Sequence, residues 1–112
     1  MAYKLSVANK VVVPIKLAVD SDGKEHTYSF DLNCKRLTAE EISARLERKE
    51  MRIADFLREV VTGWRGQTLV VDDADNPAEF SDAAFDVMLS LPGAAMLFYT
   101  RYVKEAGAKE KN

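Results

Sequence analysis

His26, Cys34, the acidic run from Asp72 to Asp75 and a basic cluster at Arg45, Arg48, Lys49 and Arg52 are the residues whose types could carry chemistry in this chain. His26 and Cys34 share one face of a predicted strand, but about 26 Å separates them at ~3.3 Å per residue. Within that strand they cannot meet as nucleophile and base. They read instead as an exposed or structural histidine and a small buried hydrophobe. Asp73 and Asp75 have the alternate spacing of oxygen ligands for calcium. The helix–loop–helix calcium pattern, however, needs a third ligand where Pro77 stands and a glycine where Ala78 stands. Glu40 and Glu41 are adjacent at a predicted helix start, where carboxylates complement the helix dipole. There is no glycine-rich phosphate loop, no HExxH and no CxxC. No catalytic, cofactor-binding or metal-ligating residue is assigned, and the expectation is a protein that is not an enzyme.

Two groups stand as candidate partner contacts. Arg45, Arg48, Lys49 and Arg52 form a basic cluster, with Glu41, Glu47 and Glu50 close enough to pair with it at helical spacing. Met96 and Leu97 fall outside the centre of the last helix's apolar stripe and offer a second contact face.

The totals bound what these residues can belong to. At 112 residues the chain fits a single domain, 1–112, with a genuine core. A hydrophobic fraction of 47% and a charged fraction of 30% belong to an ordinary globular protein. The net charge of -2, with both signs interspersed, argues against a general nucleic-acid binder. No apolar run approaches the ~18–20 residues of a membrane span. The opening MAYKLSVANK lacks the apolar core of a signal peptide, so a cytoplasmic location is expected. One cysteine, Cys34, excludes an intramolecular disulfide.

The elements follow from apolar periodicity. Ile53, Phe56, Leu57, Val60, Val61 and Trp64 make one stripe at helical spacing, which predicts a central core helix from Ile53 towards Gly66, its end covered by Trp64. Before it, Val11, Val13, Ile15, Leu17 and Val19 share one strand face. Pro14, on the other parity, predicts a sheet edge or a bulge. Asp20-Ser21-Asp22-Gly23-Lys24 reads as a hairpin turn. The following strand turns His26, Tyr28, Phe30, Leu32 and Cys34 to a buried face. Residues 1–10 suit a short edge strand or an ordered arm.

Thr38 and Glu41 have capping-box spacing at the start of a helix whose apolar edge is Ile42 and Leu46. A break is expected near 48–52, since a continuous helix would carry Lys49 and Glu50 into the apolar stripe. Thr68 to Val71 suit a short strand. Ser81 is an N-cap, flanked by Phe80 and Phe85 at staple positions. Leu91-Pro92-Gly93 ends that helix, and Pro92 suits the first turn of the next. The last helix, about 93–106, carries Ala95, Phe98, Tyr99, Tyr102, Val103 and Ala106 on one face. Gly107 stops it, and 108–112 form a loose charged tail. The expected class is α+β: an N-terminal antiparallel β-hairpin packed on a bundle of roughly four α-helices.

Taken in order, Phe56-Leu-Arg-Glu-Val-Val-Thr-Gly-Trp64-Arg-Gly66, Phe80-Ser81, Leu91-Pro92-Gly93, Tyr102, Gly107 and Lys111-Asn112 form a succession. Together with Lys35-Arg36-Leu37-Thr38-Ala39-Glu40-Glu41 after the hairpin, it resembles the tail assembly chaperones of long-tailed bacteriophages, from about Val11 onwards. The resemblance implies a non-catalytic phage or prophage protein. Such a protein binds the long helical tape-measure protein, keeps it soluble and helps recruit the tail tube protein. It implies action in the host cytoplasm, absence from the finished virion and no cofactor, nucleic-acid or membrane partner; a homo-oligomer is compatible with it. Such genes often end at a programmed minus-one frameshift, and Glu110-Lys111-Asn112 permits the codons GAA-AAA-AAC, which contain the slippery run A-AAA-AAC. The rival expectation is a small structural virion component, a head–tail joining or tail-terminator protein. A small hydrolase or metal-dependent enzyme is the third.

Overall fold

Asp22 and Gly23 both take left-handed backbone conformations, with φ 53° and 75°, and the chain reverses there in a two-residue primed turn. In the computed structural model, which describes residues 3, 5–47 and 52–109, this turn joins β1 (Lys10–Ser21) to β2 (Lys24–Lys35). The two strands run antiparallel in unbroken register from Lys10↔Lys35 to Ser21↔Lys24. A two-residue turn makes Ser21 and Lys24 the hydrogen-bonded pair that closes the hairpin. Alternation from there gives Pro14 a position whose missing N–H would point away from β2, so proline costs the hairpin no ladder bond. The sheet order is β1-β2-β3, and β1 is an edge strand, as Pro14 predicts. No bulge accompanies it. Residues 5–9 form no strand and run as an arm, with the Asn9 carbonyl accepting from the Arg36 N–H.

The helical half starts as the sequence indicates. Thr38 caps α1 (Ala39–Leu46) in a complete capping box with Glu41, the hydroxyl accepting at 3.1 Å and the carboxylate at 3.0 Å. α2 begins separately at Ile53, where the Asp55 carboxylate accepts from the Arg52 N–H. α1 and α2 are thus separate helices, and the break expected near 48–52 falls on Arg48, Lys49, Glu50 and Met51, which lie outside the described residues.

The central helix is a correction. α2 covers only Ile53–Val60, and the chain passes without a loop into a third strand, β3 (Val61–Arg65), antiparallel to β2. Leu32 faces Trp64 and Asn33 faces Gly63, but Cys34 faces Val61, so Thr62 is an extra residue in a bulge. Its hydroxyl donates to the Asn33 carbonyl at 3.1 Å. The bulge explains why the spacing reads as helix. In a regular strand Val61 and Trp64 would face opposite sides; one inserted residue turns both towards the core.

β3 stops before Gly66, where φ is 77°. Thr68 to Val71 form no strand; only an isolated bridge links Val71 to Pro77. α3 (Asp82–Leu89) is capped by the Ser81 hydroxyl, with Phe80 and Phe85 stapled across the cap at 5.8 Å between ring centres. Leu91 to Ala94 then make a turn closed by the Ala94 N–H on the Leu91 carbonyl, with Gly93 at φ 87°. Proline second and left-handed glycine third are the residues of a type II turn. Pro92 thus precedes the cap of α4 (Ala94–Ala106) rather than entering its first turn. Gly107 closes that helix through its N–H to the Val103 carbonyl.

The core lies between the sheet and α2, α3 and α4. Val13, Phe56, Leu57, Val60 and Phe98 are fully buried, and Phe98 meets Phe30 edge-on at 6.1 Å. Burial along β2 is graded: Phe30, Leu32 and Cys34 are buried, Tyr28 is half-buried and His26 is exposed, because the hairpin tip outreaches the helices. Val103 also departs from its predicted inward face, at 40% exposure.

Candidate functional site

Arg36 and Tyr102 tie together the region where the arm, the end of β2 and the last helix meet. The buried Tyr102 hydroxyl accepts from the Leu37 N–H at 3.1 Å and donates to the Lys35 carbonyl at 2.7 Å. Burial pushes its pKa up. The Arg36 guanidinium donates to the Ala8 carbonyl at 2.9 Å and to the Ala106 carbonyl at the end of α4. Three separate segments are thereby clamped by two side chains. Periodicity marks Tyr102 only as a core position, and nothing in the local pattern marks Arg36, whose partners lie far off in sequence. Above the clamp is an open cleft of about 420 Å³ lined by Tyr3, Leu5, Val7, Leu37 and Glu41. Tyr3 and Leu5 are 91% and 71% exposed. Hydrogen bonds with Thr38 hold the Glu41 carboxyl below its ordinary range. The cleft offers apolar contact, the Glu41 carboxylate and the Arg36 guanidinium, with the Tyr3 and Thr38 hydroxyls also on its lining.

The sequence-derived contacts separate in the structure. Arg45 is engaged within the molecule, its guanidinium on Glu59 at 2.7 Å and on the Glu41 carbonyl at 3.0 Å. That pair ties α1 to α2. Arg52 is exposed and has no ion-pair partner among the described residues. Arg48 and Lys49 lie outside the described residues. Met96 stands 54% exposed on α4, whereas Leu97 is half-buried, packed against the core beside Leu17 and Leu91. Among the described residues, therefore, no basic patch gathers with the pair on α4.

The chemical candidates are likewise placed. His26 is exposed near the hairpin tip, and Cys34 is 2% exposed in the core, its thiol pushed up to about 12 by burial. A thiol so held stays protonated and is a poor nucleophile. The acidic loop is organised by its own chain: the Asp72 carboxylate accepts from the N–H groups of Ala74 and Asn76. Among the described residues no three His, Cys, Asp or Glu side chains gather at metal-binding distance.

Gln67, unmarked by any sequence pattern, anchors the long connection from β3 to α3. It is 3% exposed, donates to the carbonyls of Val70 and Ala78, and accepts from the Val70 N–H at 2.8 Å. The Ala78 carbonyl also accepts from the Trp64 indole at 3.2 Å. Trp64 accordingly belongs to β3 and does not cover the end of the central helix. It packs edge-on against Phe80 and Phe85, at 5.2 and 6.4 Å between ring centres.

Compared with known proteins, the chain matches no family model, no curated protein and no solved structure.

Proposed function

We propose that this chain is a tail assembly chaperone of a long-tailed phage or prophage, which binds the tape-measure protein without catalysing a reaction. The observation that carries this is the ordered succession of segments at 56–66, 80–81, 91–93, 102 and 107. Some of those segments also meet in space, 56–66 with 102 and with 80–81. Phe56 meets Tyr102 edge-on at 5.7 Å, and Trp64 meets Phe80. A module with an exposed apolar side chain on its last helix, Met96, suits contact with amphipathic helical segments of a client. Among the described residues of the basic cluster, Arg52 is exposed without an ion-pair partner and is the cationic contact proposed there.

Co-expression with the large helix-rich protein encoded just downstream tests the proposal. The expected result is that the client becomes soluble only with this chain and co-purifies with it. A client indifferent to the chain, with the chain recovered in purified particles, would overturn the proposal in favour of a structural virion component.

A further inference from the structure

The outward face of the hairpin carries unmatched charge at its two ends. Lys10 stands directly opposite Lys35 at the base, and Asp20 opposite Glu25 beside the turn. Like charges placed opposite each other destabilise a strand pair. These two fall at non-hydrogen-bonded positions, where facing side chains stand closest. All four residues are exposed, and none has an ion-pair partner among the described residues. Between the two ends the face carries Val12, Pro14, Lys16 and Ala18 on β1 and Thr27, Ser29, Asp31 and Asn33 on β2, all exposed but the half-buried Asp31, which pairs with Arg65 of β3 at 3.2 Å.

We propose that this face packs on the same face of a second copy of the chain, base over tip, about a two-fold axis crossing the strands at Ile15 and Phe30. Ile15 and Phe30 are themselves cross-strand partners midway along the hairpin. The operation sets the Lys10–Lys35 pair of each copy over the Asp20–Glu25 pair of the other, twice per dimer. It also sets Val12 over Ala18, and Lys16 over Pro14 beside Asp31. Packed sheets stand about 10 Å apart, a gap that lysine spans. A two-fold axis along the strands would instead stack tip on tip and base on base, with four like charges at each end. Charge therefore selects the antiparallel arrangement, and the contact is isologous and closed.

Twelve-residue strands, two abreast, present about 40 Å by 10–15 Å, so the dimer buries about 800–1,200 Å² in total, the low end for a specific interface. The dimer is consequently weak and salt-sensitive. It rests on the hairpin alone and stands independently of the tape-measure proposal.

Sedimentation velocity of the full chain over a concentration series tests it. At low ionic strength a concentration-dependent dimer is expected, and at about 1 M salt, where the screening length is ~3 Å, it should dissociate. The double variants Lys10→Glu with Lys35→Glu, and Asp20→Lys with Glu25→Lys, should each be monomeric while keeping the parent circular dichroism and melting profile. Each still places like charges opposite within its own hairpin, so folding is not the variable. Mixed in equal amounts, the two should form a heterodimer, because acidic ends on one copy then meet basic ends on the other. A parent chain monomeric throughout the series, or double variants that dimerise like the parent, would overturn the proposal.

Discussion

At the scale of single residues, a few polar atoms in the core do work that apolar burial cannot. The Tyr102 hydroxyl satisfies one donor and one acceptor of the β2–α1 junction. Tyr102→Phe keeps the ring against Phe56 but strands the Leu37 N–H and the Lys35 carbonyl. The expected cost is about 1–3 kcal/mol, read as a lower urea midpoint with an unchanged slope. Cys34 makes stability depend on pH. Its thiol is raised by burial from an ordinary 9.0 to about 12, so between those values the unfolded chain has lost a proton that the native state keeps. The contribution is complete below pH 9 and is lost as pH rises towards 12. Tyr102, raised by burial as well, adds to the same fall above its ordinary 10.0. Denaturant titrations at stepped alkaline pH should show the decline beginning near 9, and Cys34→Ala should flatten its first part.

At the scale of elements, ends and turns were more legible than the connections between them. The Thr38–Glu41 box, the Ser81 cap and the Asp22-Gly23 turn depend on neighbours within four residues, and all three form. The switch from α2 to β3 was not legible, because Val61 and Trp64 have helical spacing and reach the core through a bulge opposite Asn33 and Cys34. Only the partner strand decides between those states. The connection from Gly66 to Phe80 was opaque for a related reason: Gln67 organises it, and glutamine carries no turn signal. Gln67→Ala leaves the Val70 N–H unpaired in the interior, with an expected loss of about 1–3 kcal/mol and selective loss of amide-exchange protection between 67 and 78. Gly93 adopts φ 87° with open space where a Cβ would sit. Gly93→Ala should therefore cost only the backbone strain, about 1–2 kcal/mol, in the melting profile.

At the scale of the whole molecule, α4 carries side chains of two kinds next to each other. Leu97 packs against the core, so Leu97→Asp should destabilise the fold by about 1–3 kcal/mol. Met96 is exposed, so Met96→Asp should change stability by less than ~0.5 kcal/mol. If α4 contacts the client, Met96→Asp should still reduce client solubility in co-expression. The comparison separates a contact residue from a packing residue, which apolar type alone could not do for two neighbours.

Local chemistry written in the chain determined the hairpin with its edge proline, the helix starts at Thr38 and Ser81, the stop at Gly107 and the burial of Cys34. Each depends on spacing within one element or on the conformational limits of proline and glycine. Tertiary structure alone decided that the central apolar stripe divides into a helix and a bulged strand. It alone committed Arg45 to Glu59 and clamped arm, strand and last helix through Arg36 and Tyr102. Those outcomes depend on partners distant along the chain, and periodicity specifies which residues must be buried without specifying what they are buried against.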